Sequence, residues 1–206
     1  MTRLFDLTFS LIGLIILSPF FLIIAIWIKL TSKGPILYRQ KRIGKNGKEF
    51  RLLKFRSMYA DADKRGLLTV GGKDPRITPS GLYIRKYKLD ELPQLWNVLI
   101  GQMSIVGPRP EVKKYVDLYD EEQKKILHVR PGITDLASIK YKNENEILEA
   151  QPEPERYYIE HLLPEKIKLN KKFIEAPTVN NYFKIIFLTV KNVFISKEDI
   201  NADLLN

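Results

Sequence analysis

The run Lys88-Leu89-Asp90-Glu91-Leu92-Pro93 sets two adjacent carboxylates beside a proline that marks a helix start or kink. Paired acids are common at helix N-termini, where the macrodipole favours them. Their neighbours supply a second reading. Arg85, Lys86 and Lys88 lie just upstream, and two later segments, Met103-Ser-Ile-Val-Gly107-Pro108-Arg109-Pro110 and His128-Val-Arg130-Pro131-Gly132-Ile-Thr134, each place an arginine directly before a proline. A residue before proline is biased toward extended backbone, and a guanidinium on stiff backbone grips phosphate oxygens bidentately with little ordering entropy to lose. The plain alternative for each arginine is a helix cap or a surface ion pair. A carboxylate can attack a phosphoryl group as a covalent nucleophile, while a neighbour handles a proton or holds magnesium together with substrate oxygens. Asp90 and Glu91 are therefore the candidate catalytic dyad and the candidate magnesium ligands, with Arg85, Arg109 and Arg130 as candidate phosphate binders. A further cationic cluster, Arg51-Leu-Leu-Lys54-Phe-Arg56-Ser57-Met58, adds Lys54 and Arg56, as contacts for a lipid headgroup or for a lipid phosphate in chemistry. His128 and His161 lack metal-ligand spacing and read as structural or surface residues. The chain has no cysteine and no GxGxxG, Walker or GxSxG signature.

These groups must be positioned by a chain of 206 residues, about one domain long. Residues 7–28 carry no charge, whereas residues 29–58 hold ten Lys/Arg against the single acid Glu49, so a local net +9 accounts for nearly all of the chain's formal +10. A uniformly basic protein is excluded. The uncharged stretch spans roughly 33 Å as a helix, enough for a hydrocarbon core about 30 Å thick. It is too long for the apolar region of a cleavable signal peptide and lacks a small-residue cleavage site. Ser18-Pro19 at its centre predicts a break or kink. Two topologies stay open: a kinked span, or a helix-break-helix hairpin entering and leaving one leaflet. The cationic block belongs on the cytosolic side and is drawn to anionic membrane lipids.

Downstream, two short strands at 35–42 and 48–55 flank an Asn46-Gly47 hairpin signal. Residues 60–80, rich in Gly, Asp and Pro, read as a mobile loop of lid length. Apolar spacing predicts a helix over 81–100 with Asp90, Gln94 and Asn97 on one face, and further helices at 111–128, 164–173 and 182–195. The last is either an interfacial or a core helix. The expected class is α+β and mostly helical: a re-entrant membrane helix over 1–30, a cytosolic catalytic domain over 31–195 with a short β-hairpin and amphipathic interfacial helices around a small catalytic core, and a tail over 196–206.

In this order, Ser18-Pro19, Gly34-Pro-Ile, Tyr38-Arg-Gln-Lys-Arg-Ile-Gly44, Leu53-Lys-Phe-Arg-Ser-Met58, Lys88-Leu-Asp-Glu-Leu-Pro-Gln-Leu-Trp-Asn97, the Gly107-Pro-Arg-Pro110 segment and Val129-Arg-Pro-Gly-Ile-Thr134 resemble the bacterial sugar transferases, the monotopic phosphoglycosyl transferases. The resemblance runs from about residue 3 to 195. It implies transfer of a sugar-1-phosphate from a UDP-sugar to polyprenyl (undecaprenyl) phosphate with release of UMP, opening capsule, O-antigen, exopolysaccharide or glycoprotein glycan synthesis. It further implies Asp90 as the nucleophile forming a phosphosugar-aspartyl intermediate, Glu91 as its dyad partner, magnesium on the diphosphate, and a re-entrant helix with both ends cytosolic at the bacterial inner membrane. Downstream glycosyltransferases that extend the product are the expected functional partners. Where many members read Gly-Trp-Ala-Gln after Pro-Gly-Ile-Thr, this chain reads Asp135-Leu-Ala-Ser-Ile-Lys-Tyr-Lys-Asn-Glu144. That segment lies away from the dyad motif, where it could contact the glycosyl or uridine part, so the sugar is not assigned: galactose, glucose, N-acetylgalactosamine and deoxyamino sugars all stay open. The rival reading is a membrane-anchored basic binding module without catalysis. Only Tyr38, Phe50 and Phe55 interleave the cationic block and no reader motif accompanies it, so no nucleic-acid partner is expected.

Overall fold

The computed structural model describes residues 2–194 apart from 63–65, 67, 69, 72 and 73. The expected tail over 196–206 lies outside the described residues. The fold is mostly helical with two small sheets.

Helix α1 covers Thr2–Thr31 and runs on through Pro19. The expected break at Ser18-Pro19 is therefore not an interruption of the helix. Proline removes the N–H that would bond the carbonyl of Ile15, and the Ser18 hydroxyl donates to that carbonyl instead at 2.8 Å. The helix is long and apolar enough to cross a membrane, and most of its surface is uncovered: Leu11, Ile15, Ile16, Phe20, Leu22 and Ile23 are all exposed.

Strands β1 (Leu37–Ile43) and β2 (Glu49–Phe55) form the expected antiparallel hairpin, in register from Leu37 opposite Phe55 to Ile43 opposite Glu49. Its turn needs left-handed backbone at Asn46 (φ 57°) and Gly47 (φ 71°), which the Asn-Gly pair supplies. Phe55 packs with Ile24 and Ile28 of α1, and Phe50 and Leu52 with Val98 and Met103.

The helix expected over 81–100 is in fact α2 (Pro79–Lys86), a 3-10 turn at Leu89–Glu91, and α3 (Gln94–Leu99). Lys88 adopts left-handed backbone (φ 56°), which a helix cannot continue through, and α2 ends before it. The stretch 111–128 also divides, into α4 (Lys113–Val116), α5 (Glu121–Lys124) and a 3-10 turn at Lys125–His128. Extended backbone at Asp120 stops the first helix, and a capping box with Gln123 starts the second.

A second sheet went unanticipated. Strands β3 (Ser104–Val106) and β4 (Gly132–Thr134) pair in parallel, too short to show a period-2 pattern. They approach so closely at Gly107 and Gly132 that a Cβ on Gly132 would lie 2.1 Å from the Gly107 nitrogen. Helices α6 (Leu136–Lys140), α7 (Glu144–Glu149), α8 (Pro154–Tyr157), α9 (Leu163–Glu175) and α10 (Val179–Phe194) complete the chain. Tyr182 and Ile185 of α10 pack with Val106 and Ala137, while Phe187 and Val190 stay exposed. The helix thus has both a core face and an uncovered apolar face.

Contacts along α1 run in reverse order along residues 80–99. Arg3 donates to the carbonyls of Val98 (2.7 Å) and Leu99 (3.0 Å), a methyl at Gly13 would come 3.1 Å from Leu95 Cδ1, Trp27 lies against Tyr83, and the Thr31 hydroxyl donates to Ser80 at 2.7 Å. Both ends of α1 are thereby fastened to one body. Asp6, buried, strengthens the N-terminal attachment by accepting hydrogen bonds from Ser104 (2.9 Å), the Ile105 amide (2.9 Å) and Tyr182 (2.8 Å).

Candidate active site

Asp90 and Glu91 share the 3-10 turn between α2 and α3, where Leu89 packs into the apolar cluster of Ile24 and Ile28, from the C-terminal third of α1, with Phe55. They open on a cavity of about 830 Å³. The two carboxylates are treated very differently. Both Glu91 oxygens are clamped by the Arg109 guanidinium, Nη1 donating to Oε2 at 3.0 Å and Nη2 to Oε1, and Lys54 Nζ donates to Oε1 at 3.2 Å. Asp90, 5% exposed, accepts no hydrogen bond among the described residues and lines the cavity. Burial alone would push the Glu91 carboxyl up, but Arg109 and then Lys54 overcome it and hold the group well below the carboxylate range. Burial pushes the Asp90 carboxyl up, Lys54 opposes this, and the neighbouring Glu91 charge adds to it. Lys54 is itself pushed down by burial, although Glu91 pulls it the other way.

Each partner is placed by a specific local device. Lys54 projects from β2, whose edge is fastened to α3 by Asn97: its side-chain oxygen accepts from the Leu53 amide (3.0 Å) and its nitrogen donates to the Arg51 carbonyl (2.9 Å). Gln94 and Asn97 of α3 are buried, as is Asp90 in the turn before it, but only Asp90 lines the cavity, so the shared helix face expected of the three is not formed by one helix. Arg109 leaves β3 through the Gly107-Pro108 segment. Its amide donates to Asp135 Oδ2 at 2.9 Å, and Asp135 is in turn the N-cap of α6 and accepts from Asn170. Arg85 and Lys88 line the same cavity, and both draw the Asp90 carboxyl toward its charged form.

Of the residues singled out in the sequence, Asp90, Glu91, Lys54, Arg85 and Arg109 are gathered at this cavity. Arg56 lines it too, but its guanidinium donates to the carbonyls of Lys33 (2.9 Å) and Ser32 (2.7 Å), closing the end of α1. Arg130 is not brought to the cavity. Its Nε donates to the Gly101 carbonyl at 2.9 Å, beyond the end of α3. Both guanidiniums are thus engaged by backbone carbonyls, Arg56 at the end of α1 and Arg130 beyond α3.

Three contributors were not anticipated: Arg42, Glu111 and Asp135. Glu111 follows Arg109 by two residues across Pro110, and the extended bias that a proline imposes on the residue before it was the one signal that both side chains could share a side. Among the described residues no three acidic, histidine or cysteine side chains gather as a metal cluster. The donor set nevertheless fits magnesium, which uses one or two carboxylates with substrate oxygens and water. All of Asp90's lone pairs are open, and one remains on Glu91 Oε2.

Comparison with known proteins identifies the family. The chain is 38% identical over 199 residues to a UDP-glucose:undecaprenyl-phosphate glucose-1-phosphate transferase of Klebsiella pneumoniae, covering 95% of this chain and 40% of that protein. It is 42% identical over 137 residues to a UDP-N-acetylgalactosamine-undecaprenyl-phosphate N-acetylgalactosaminephosphotransferase of Aeromonas hydrophila, covering 65% and 32%. It is 45% identical over 145 residues to the exopolysaccharide production protein PSS of Rhizobium leguminosarum bv. phaseoli, covering 67% and 72%. The chain thus spans well under half of the first two relatives and most of the third. The family model for bacterial sugar transferases matches residues 1–196, a range that includes the dyad, the arginine-proline loops and the apolar helix, and the chain belongs to the bacterial sugar transferase family.

Proposed function

We propose that this protein transfers a sugar-1-phosphate from a UDP-sugar to undecaprenyl phosphate, with Asp90 as the covalent nucleophile. The observation that carries this reading is the asymmetry of the dyad. A nucleophile needs open lone pairs and freedom to move, and Asp90 has the former on both oxygens; Glu91 is clamped on both oxygens by Arg109 and on Oε1 by Lys54, which suits it to a supporting part. An Asp90 oxygen attacks the β-phosphorus, the bond from that phosphorus to the bridging oxygen breaks, and UMP departs with the oxygen. The lipid phosphate then attacks the same phosphorus, the Asp90–phosphorus bond breaks, and the sugar is left on a polyprenyl diphosphate. Arg109, Arg85, Lys88 and Lys54 lower the repulsion between the incoming phosphates and the acid that must attack them. Asp90 and Glu91 Oε2 would hold a magnesium ion, which would neutralise diphosphate charge.

The placement of α1 supports a protein embedded from one side. Its two ends hold one body through Arg3, Asp6 and Thr31, so a straight crossing would have to tear one end from its hydrogen bonds. Its outward face is apolar, and Leu82, Tyr83, Tyr87, Trp96 and Ile100 extend that exposed surface over α2 and α3. Aromatic residues at such a margin suit the headgroup zone, and the cationic block suits the cytosolic face of the inner membrane. Lipid phosphate and Asp90 then meet at one height.

The test is UMP release by the purified protein with undecaprenyl phosphate and a panel of UDP-sugars, with and without EDTA. Turnover is expected with at least one donor and is expected to fall on chelation. Asp90→Asn should lower it at least about a thousandfold, as loss of a nucleophile does. Labelled sugar-phosphate should accumulate on Asp90 when the lipid is omitted; intact turnover by Asp90→Asn would defeat the assignment.

A further inference from the structure

The cavity continues past Arg109 into a polar end built by α7, α9 and the turn before α9. Lys166, 8% exposed, donates to Glu144 Oε2 at 3.1 Å and to the Tyr158 hydroxyl at 3.2 Å, and lies 3.6 Å from Glu111 Oε1. Tyr158 donates to Glu111 Oε1 at 2.6 Å, and Arg42 reaches Glu111 Oε2 at 3.4 Å. Two cations thus balance two carboxylates. Such a balanced, hydrogen-bonded cluster adds little net field to a phosphate site nearby, and it fixes its members in place. All but one of the four carboxylate oxygens are engaged. Glu144 Oε1 accepts nothing among the described residues, and Glu144, with about a quarter of its side chain exposed, lines the cavity.

We propose that Glu144, held by Lys166, reads the sugar of the donor by accepting a hydrogen bond from a glycosyl hydroxyl. The inference rests on the transferase reading and names its specificity contact. If the β-phosphorus meets Asp90, the sugar begins one ester oxygen away, so a group that reads it must lie close to the guanidinium beside the dyad. Glu144 meets this requirement: it lines the same cavity as Arg109, and Lys166 joins it to Glu111, two residues along the chain from Arg109. A carboxylate suits a sugar better than the α-phosphate or any other anionic part of the nucleotide, because hydroxyls donate to it and phosphates repel it. Lys166 is then a positioning residue: it acts through Glu144, and its own donors are turned toward Glu144, Tyr158 and Glu111.

The experiment uses the full chain in lipid nanodiscs, comparing the parent with Glu144→Gln and Glu144→Asp. Measured for each are KM and kcat for UDP-glucose, UDP-galactose and UDP-N-acetylgalactosamine, together with the inhibition constant of UMP, which lacks the sugar. Both variants are expected to lose roughly tenfold or more in kcat/KM for the preferred donor, mainly through KM, and to narrow the spread among donors. The UMP constant is expected to stay at the parent value. Glu144→Asp keeps the charge facing Lys166, so it decides the matter if Glu144→Gln fails to fold. Unchanged donor preference in a folded variant would overturn the proposal, as would a UMP constant that rises in step with KM. A parent protein that turns over no UDP-sugar would overturn the transferase reading as well, and the two failures are distinguished by whether the parent is active.

Discussion

Asp90 and Glu91 are neighbours in sequence, yet opposite consequences follow from removing their charges. Glu91→Gln leaves Arg109 and Lys54 without a counter-charge in a largely buried setting, and is expected to cost about 2–3 kcal/mol of stability, seen as a lower thermal midpoint. Asp90→Asn removes a charge that burial already disfavours, so the same measurement should show stability unchanged or raised while transfer is lost. The pH dependence follows from the same two groups. Glu91 stays ionised far below neutrality and sets no limb of the profile. Asp90 ionises above its ordinary value of 3.8, and only its charged form attacks, so activity should rise with pH through an apparent pKa higher than that of a free aspartate. A profile flat down to pH 4 would show that Asp90 is not the titrating nucleophile.

At the level of elements, the site depends on joints that are individually small. The two three-residue strands β3 and β4 bring the segments bearing Arg109 and Arg130 together, though only Arg109 continues into the cavity. Their contact leaves no room for a side chain: Gly132→Ala would drive a Cβ to 2.1 Å from the Gly107 backbone nitrogen, and backbone cannot yield as a flexible side chain can. We expect a loss of about 3 kcal/mol or failure to fold, together with lost transfer, although residue 132 is not among those lining the cavity. The hairpin was legible because Asn46-Gly47 is a strong local signal and its strands are seven residues each. The parallel pair was not, because three residues carry too little periodicity. Likewise the helical stretch expected over 81–100 starts a helix after Pro93 as that proline signals, but it is also divided by left-handed backbone at Lys88, a conformation that lysine does not announce.

For the whole molecule, the decisive feature is the reverse-order packing of α1 along residues 80–99. It makes a testable demand on topology. Because the chain contains no cysteine, Thr2→Cys supplies a single thiol at the start of α1. A membrane-impermeant maleimide should label it in inverted vesicles, where the cytosolic face is outward, and not in right-side-out cells. The opposite pattern would mean that α1 crosses the bilayer and that the Arg3 and Asp6 attachments do not form there.

From the residues alone came the apolar anchor, the local cationic block, the hairpin, the mostly helical class and the family's ordered motifs, since each is written in contiguous stretches whose period or composition can be counted. The tertiary structure alone decided which charged side chains reach the cavity. Arg109 and Arg130 look alike as sequence, each before a proline, yet one clamps Glu91 and the other holds a carbonyl beyond α3, while Arg56 of the cationic cluster closes the end of α1. The reason is physical. A long cation goes to whichever carbonyl or carboxylate lies within reach, and that is set by partners 18 to 29 residues away in the chain. The same holds for Asp90: its open lone pairs are a property of what folding left beside it, and no spacing of letters could state that.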